Sequence, residues 1–229
     1  MSSSNPLLLP IKYDTDTIHQ KVLTTIVKML SARKWLKLEN LEENITNLTK
    51  QKSDDLIYKL KIDVNLSDVP FYLDENEKLP DSFNNNIVII KFIQQKIIGI
   101  NKSSIITDFI SDYKNNHKIL VVESISDKAK SQLYTLHHVE IFDEAFLMFN
   151  LLEHELSPQY EILTKEQIKE FKDSFNIPEN KMKRILDTDK ASRYFNLKRR
   201  QIIRIIRNSE ITGKSVDYRI VVRSQKHNI

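Results

Sequence analysis

Apolar residues recur every three to four positions at Ile18, Val22, Ile26 and Met29/Leu30, and polar residues lie between them. That spacing predicts a helix from Thr17. Residues 1–16 read as a flexible lead-in, and the polar stretch 37–54 as a connector with some helix. Residues 56–64 alternate in part through Ile57, Tyr58, Leu60, Ile62 and Val64, which predicts a strand. The stretch 70–86 holds two prolines and the run NNN, and reads as a surface loop. The sequence IVIIKFI at 87–93 is β-branched and of strand length, so it predicts a strand buried on both faces. Residues 103–113 fit a helix with Ile106, Phe109 and Ile110 on one side. KILVV at 118–122 is a second buried strand. A short helix at 127–133, a strand at 138–142 and a short helix at 144–149 capped by Asp143 follow. Strand and helix alternate here, which predicts an α/β layer domain.

The pattern restarts after Pro158. Thr164 and Gln167 have capping-box spacing, and Ile168, Phe171 and Phe175 form an apolar stripe behind them. Pro178 suits the first position of a short helical turn. Asp187 or Thr188 is placed to cap a helix running through Phe195. KRRQIIRIIR at 198–207 has two readings. As a helix it sets Ile202, Ile203 and Ile206 against four arginines. As a strand it alternates isoleucine with arginine. Its β-branched richness and the following NSEITG favour strands at 201–207 and 216–222, with Gly213 in the turn between them. The expected organisation is a lead-in over 1–16, an α/β domain over 17–152, and a small α+β domain with a mixed sheet over 153–229.

Charge is divided unevenly between these parts. From Gln159 onward there are 17 Lys and Arg against 9 Asp and Glu, a net of +8, and the remainder of the chain is −4. Eight of the nine arginines lie after Leu156, and Arg33 is the exception. Arginine's planar fork of donors suits carboxylates and phosphates, so this end is a candidate docking surface for an acidic partner. The alternative reading is a solvated strand face. The chain has no cysteine, which removes disulfides, thiolate metal sites and a cysteine nucleophile, and fits an intracellular protein. No apolar run is long enough to span a bilayer, so no membrane partner is expected.

Candidate chemistry is sparse. His137 and His138 are adjacent at the start of a strand, so their side chains point to opposite faces and do not converge on one metal. His154-Glu155 lacks the second histidine of a zinc-protease helix, because position 158 is proline. Pro80-Asp81 with Lys91 is like part of a metal-dependent nuclease pattern, but the position needing an acid is Ile89. The only glycines are Gly99 and Gly213, so phosphate-cradling loops are excluded. No catalytic residue, metal or cofactor is expected.

One ordered set of residues matches a known family. It comprises His154, Leu156 and Pro158 in HELSP, Thr164 and the helix after it, Arg184-Ile185, Asp189, Ala191, Tyr194 and Leu197-Lys198-Arg199. It continues through Ile205-Ile206-Arg207, Ser209-Glu210, Thr212-Gly213 and Tyr218-Arg219. This text resembles the C-terminal domain of the fifth subunit of eukaryotic nuclear RNA polymerases, a domain that also makes up the archaeal counterpart. The resemblance continues weakly before Leu152, where TIVKMLSAR at 25–33 is similar to the first helix of the family's N-terminal jaw domain. It implies a non-catalytic subunit of a DNA-directed RNA polymerase. Its partners would be the largest subunit, the neighbouring small subunits and, non-specifically, downstream duplex DNA. The implied docking residues are Arg207, Ser209, Glu210, Gly213, Tyr218 and Arg219. Lys128 and Lys130 fall in a jaw loop and offer charge for phosphate contacts, which would position DNA without reading its sequence. The implied compartment is the nucleus for a cellular protein, or the virion or cytoplasmic factory for one from a large DNA virus. The family has glycine where this chain has Asn196 and Arg200, and proline at Lys183 and Lys190, which marks a divergent member. Two other functions set against this one are a freestanding DNA-binding protein and an inactive nuclease-like domain.

Overall fold

The computed structural model describes residues 14–51, 55–69, 72, 79–80, 82–99, 105–134, 136, 138–150, 152–176, 178–209 and 213–224. Residues 1–13 of the expected lead-in, much of the first part of the expected 70–86 loop, His137 and Glu210 lie outside them. The first helix, α1 (Thr15–Ala32), is capped by Asp14, whose carboxylate accepts the Thr17 N–H. It buries Val22, Leu23, Ile26, Val27, Met29 and Leu30, the stripe its periodicity predicts. The connector contains α2 (Leu41–Lys50).

The first sheet has strand order β1-β2-β3-β4. β1 (Ile57–Lys61) runs antiparallel to β2 (Ile87–Ile97), and β2, β3 (His117–Ile125) and β4 (Val139–Asp143) are mutually parallel. Alternation divides the central strands between two layers. Val88, Ile90, Phe92, Ile119 and Val121 pack in the same core as α1, together with Leu147 of α5 (Glu144–Leu147). Ile89, Ile93, Leu120 and Val122 pack with Ile106 and Phe109 of α3 (Ile105–Asp112) and Ala129 of α4 (Asp127–Tyr134). Burial on both faces explains the continuous apolar runs. Lys118, inside one of those runs, is buried and sends Nζ to the carbonyls of Tyr113 at 2.9 Å and Asn116 at 2.6 Å. Burial lowers its pKa to about 8.

The second sheet is mixed, with order β5-β7-β8-β6. β7 (Ile202–Ser209) is antiparallel to β5 (Gln159–Ile162) and to β8 (Gly213–Val222), and β6 (Lys183–Leu186) is parallel to β8. β7 settles the ambiguity of the basic run as a strand, preceded by turn residues at 199–200. β5 and β6 have four residues each and carry no periodicity of their own, so sequence pattern did not reveal them. α6 (Lys165–Phe175) has both halves of the Thr164/Gln167 capping box.

Two caps differ from expectation. α7 (Lys190–Tyr194) is capped by Asp189, whose carboxylate accepts the Ala191 N–H at 2.9 Å. Asp187 instead accepts the Ser224 N–H, tying down the end of β8. Asp143 makes no capping hydrogen bond to α5, and its carboxylate pairs with Lys130 at 3.1 Å.

One core cluster is continuous from α1 and the first sheet to Ile185, Tyr194, Phe195, Leu197, Ile203, Ile205 and Val221 around the second. Asn196 and Arg200 have φ of 50° and 69°, so both keep the left-handed backbone that a glycine takes freely.

Candidate docking surface

Pairing register assigns the residues of the β7–β8 hairpin to faces, because residues opposite one another share a side. Ile203, Ile205 and Arg207 lie opposite Arg219, Asp217 and Ser215 on one face. The apolar members of that row enter the main core, and the row ends in charge as the hairpin extends past its neighbours. Asp217 takes Lys183 Nζ at 2.8 Å and Arg219 Nε at 3.1 Å. Partial burial pushes the Asp217 carboxyl up, but these two cations hold it below the usual carboxylate range. Arg207 and Arg219 also both act electrostatically on Tyr160, which faces Ile205 from β5. Arg207 itself is exposed and makes no ion pair among the described residues.

The other face carries Ile202, Arg204, Ile206 and Asn208 opposite Ile220, Tyr218, Val216 and Lys214. α6 covers its inner part, where Tyr218 packs on Phe171 with ring centroids 4.5 Å apart. Arg204 pairs with Glu161 across β5. Val216 and the nearby Phe175 of α6 stay largely exposed.

The expected docking residues are therefore divided. Arg207 and Arg219 share the charged face, and Tyr218 faces α6. Gly213 opens β8 with φ of 73°, a left-handed conformation that favours glycine. Ser209 pairs with Gly213 at the end of the ladder. Glu210 is not among the described residues. Of the two lysines expected in a loop near DNA, both stand on helix α4 instead, Lys128 exposed and Lys130 engaged with Asp143.

A second constellation, at the seam between the sheets, escaped sequence reasoning. Arg33, at the end of α1, is buried and grips Glu140 of β4 through two bonds of 2.6 and 2.8 Å. It also donates to the backbone oxygens of Tyr194 at 2.7 Å and Arg193 at 3.1 Å. His117 Nε2 lies 2.8 Å from the same carboxylate, and His117 Nδ1 lies 2.9 Å from the Tyr72 hydroxyl. Arg193 returns a bond to the Ile141 carbonyl at 2.6 Å, and Tyr194 Oη donates to Asn150 at 2.9 Å. The one signal in the sequence was that Arg33 stands alone outside the basic tail.

His138, expected to start a strand, stands in a turn just before β4 with φ of 60° and stacks on Tyr72. Lys91 lies over the Phe109 ring and Ile89 is buried, and Asp81 is not among the described residues. Among the described residues no group of three or more His, Asp or Glu is arranged to hold a metal ion.

Comparison with known proteins assigns the second sheet to a known domain family. The family model for the RNA polymerase Rpb5 C-terminal domain matches residues 149–221. DNA-directed RNA polymerase subunit 5 of Acanthamoeba polyphaga mimivirus is 34% identical over 139 residues, 61% of this chain and 67% of the relative. The subunit RPABC1 of RNA polymerases I, II and III from Caenorhabditis briggsae is 32% identical over 142 residues, 59% of this chain and 66% of the relative. Its counterpart in Dictyostelium discoideum is 31% identical over 131 residues, 55% of this chain and 66% of the relative. The chain thus spans about two thirds of the length of each. With the matched domain coinciding with the second sheet and its hairpin, the chain belongs to the subunit 5 family of DNA-directed RNA polymerases, a family of non-catalytic subunits.

Proposed function

We propose that this protein docks on the largest subunit of its polymerase through the charged end of the β7–β8 hairpin. In this reading residues 153–229 are the assembly domain and residues 17–152 form a jaw beside downstream duplex DNA. The observation that carries the reading is the projecting hairpin with Arg207 exposed and without an ion-pair partner among the described residues. An arginine in that state is ready to form charge-assisted bonds with a partner carboxylate. Arg219 and Lys183 surround Asp217, so they present a partly neutralised rim and Arg207 is the stronger point of attraction. On the jaw, Lys128 is the better phosphate contact, because Lys130 already has a carboxylate.

Affinity capture of the tagged full chain, followed by mass spectrometry, tests this. The largest polymerase subunit copurifies with the natural chain, and recovery falls for Arg207→Glu. If no large polymerase subunit copurifies, the reading fails. Salt-sensitive duplex binding without any polymerase would then favour a freestanding DNA-binding protein.

A further inference from the structure

The β7–β8 hairpin extends beyond the strands that flank it. β6 pairs only with residues 219–222 of β8, and β5 only with residues 203–206 of β7. Beyond those limits each hairpin strand has one open edge among the described residues. The phase of the backbone bonds identifies the open groups. Val221 N–H donates to the Gln201 carbonyl on the β7 side, whereas the Val222 carbonyl accepts Asp187 N–H on the β6 side. Alternation then turns residues 213, 215 and 217 toward β7, and Lys214 and Val216 outward. On β7 the same count leaves Asn208 alone facing out past β5. The longer open edge is therefore that of β8, with the N–H and C=O of both Lys214 and Val216 available. Unpaired strand edges are templates for another strand, and proteins usually cover them or shorten them.

We infer that the β8 edge at Lys214 and Val216 receives an extended segment of a polymerase partner whose residues alternate between acidic and apolar. This rests on the docking reading above and names how the docking is made. The backbone edge supplies main-chain bonds, and the two faces supply the side-chain preference. On one face Ser215 is small and lies opposite Arg207, so the guanidinium can reach over it to a carboxylate on the added strand. Asp217 does not repel that carboxylate, because Lys183 and Arg219 neutralise it. On the other face Val216 is 51% exposed and Phe175 57% exposed beside Tyr218, a site for apolar side chains, and the exposed Lys214 at the outer end of that face adds a cation. Arg207 on one side and the apolar Val216 and Phe175 on the other favour a period of two in the occupant, the period of a strand, and Lys214 at the outer end favours a further acid there.

Hydrogen exchange of the full tagged chain, free and in the captured polymerase, tests this residue by residue. Lys214 and Val216 amides exchange fast in the free chain and slow by about tenfold or more in the assembly. Val216→Pro removes one outward donor while sparing the β7 ladder, as prolines on edge strands do, and weakens capture. Val216→Thr keeps the N–H and loses less capture than Val216→Pro. A synthetic peptide alternating glutamate and valine protects the same two amides, and its lysine-for-glutamate counterpart does not. If the polymerase copurifies but both amides still exchange fast, side chains alone make the contact and the strand proposal is wrong, although docking stands. If nothing copurifies, the docking reading itself has failed. Protection in the free chain together with a dimer in solution would make a second copy the occupant and overturn the proposal.

Discussion

Arg33 and Glu140 meet in a two-point ion pair, Nη1 to Oε1 at 2.6 Å and Nη2 to Oε2 at 2.8 Å, with side chains only 2% and 10% exposed. Because Arg33 also holds the backbone oxygens of Arg193 and Tyr194, one side chain joins α1, β4 and α7. Removing one partner of a buried pair strands the other. Arg33→Ala should therefore cost about 3–5 kcal/mol, read as a lower urea midpoint. The double variant Arg33→Met/Glu140→Leu should recover much of that loss, because it strands no charge. Recovery absent from the double variant would mean that the pair is not an isolated unit.

Acid should weaken the fold in two stages. Burial by itself would raise the Glu140 pKa, but the Arg33 charge and the His117 bond more than reverse it, so the carboxyl sits below its ordinary 4.5. A depressed carboxyl contributes stability that is present above 4.5 and is lost as pH falls through the folded value. The His117 pKa is lowered from 6.5, chiefly by burial and against the pull of Glu140. The unfolded chain then binds a proton below 6.5 that the folded chain refuses, and stability again falls with pH. Urea midpoints should decline from pH 6.5 downward and more steeply below 4.5. Glu140→Gln should be less stable at pH 7 and have a shallower profile below 4.5. Parallel profiles for the two proteins would exclude Glu140 as the source.

The left-handed residues make opposite predictions. Arg200 has φ of 69° with a Cβ, a conformation that costs about 1–2 kcal/mol for a residue other than glycine. Arg200→Gly should raise stability by about 1 kcal/mol, less what its exposed pairing with Glu179 contributes. Gly213, at φ of 73°, should lose about 1 kcal/mol on replacement by alanine, although open space surrounds the site. Thermal melts of both variants check the two signs together.

Lys128 and Lys130 of α4 should separate in a DNA-binding assay. Lys128→Ala should weaken duplex binding by the assembled polymerase and reduce its salt slope by about 1. Lys130→Ala should change binding less, because Lys130 already faces Asp143 at 3.1 Å. Equal losses for the two variants would contradict this assignment.

Tyr194 Oη donates to Asn150 at 2.9 Å where the chain leaves the first sheet. Tyr194→Phe should cost about 0.5–1.5 kcal/mol in a denaturant titration, the net worth of one hydrogen bond. An unchanged midpoint would show that water replaces the bond without loss.

Spacing along the chain was enough for the elements whose periodicity is long enough to show. The stripe from Ile18 to Leu30, the runs IVIIKFI and KILVV and the Thr164/Gln167 box could all be read this way, whereas the basic run of β7 fitted helix and strand alike by spacing and leaned to strand only through its β-branched richness and the turn text after it. The ordered text from Ile205 to Arg219 also pointed to the family. Packing in three dimensions settled what has no local pattern. β5 and β6 are four-residue strands that exist because β7 and β8 offer edges to pair with. Asp189, not Asp187, caps α7, because the Asp187 N–H still bonds to the Val222 carbonyl of β8 and the helix starts only at Lys190. Register sent Tyr218 toward α6 and Arg207 to the charged face, since a period of two separates neighbours that sequence sets close together. The Arg33–Glu140 pair lies furthest beyond sequence reasoning. Its members are 107 residues apart, and only the packing of α1 against the first sheet brings them into contact.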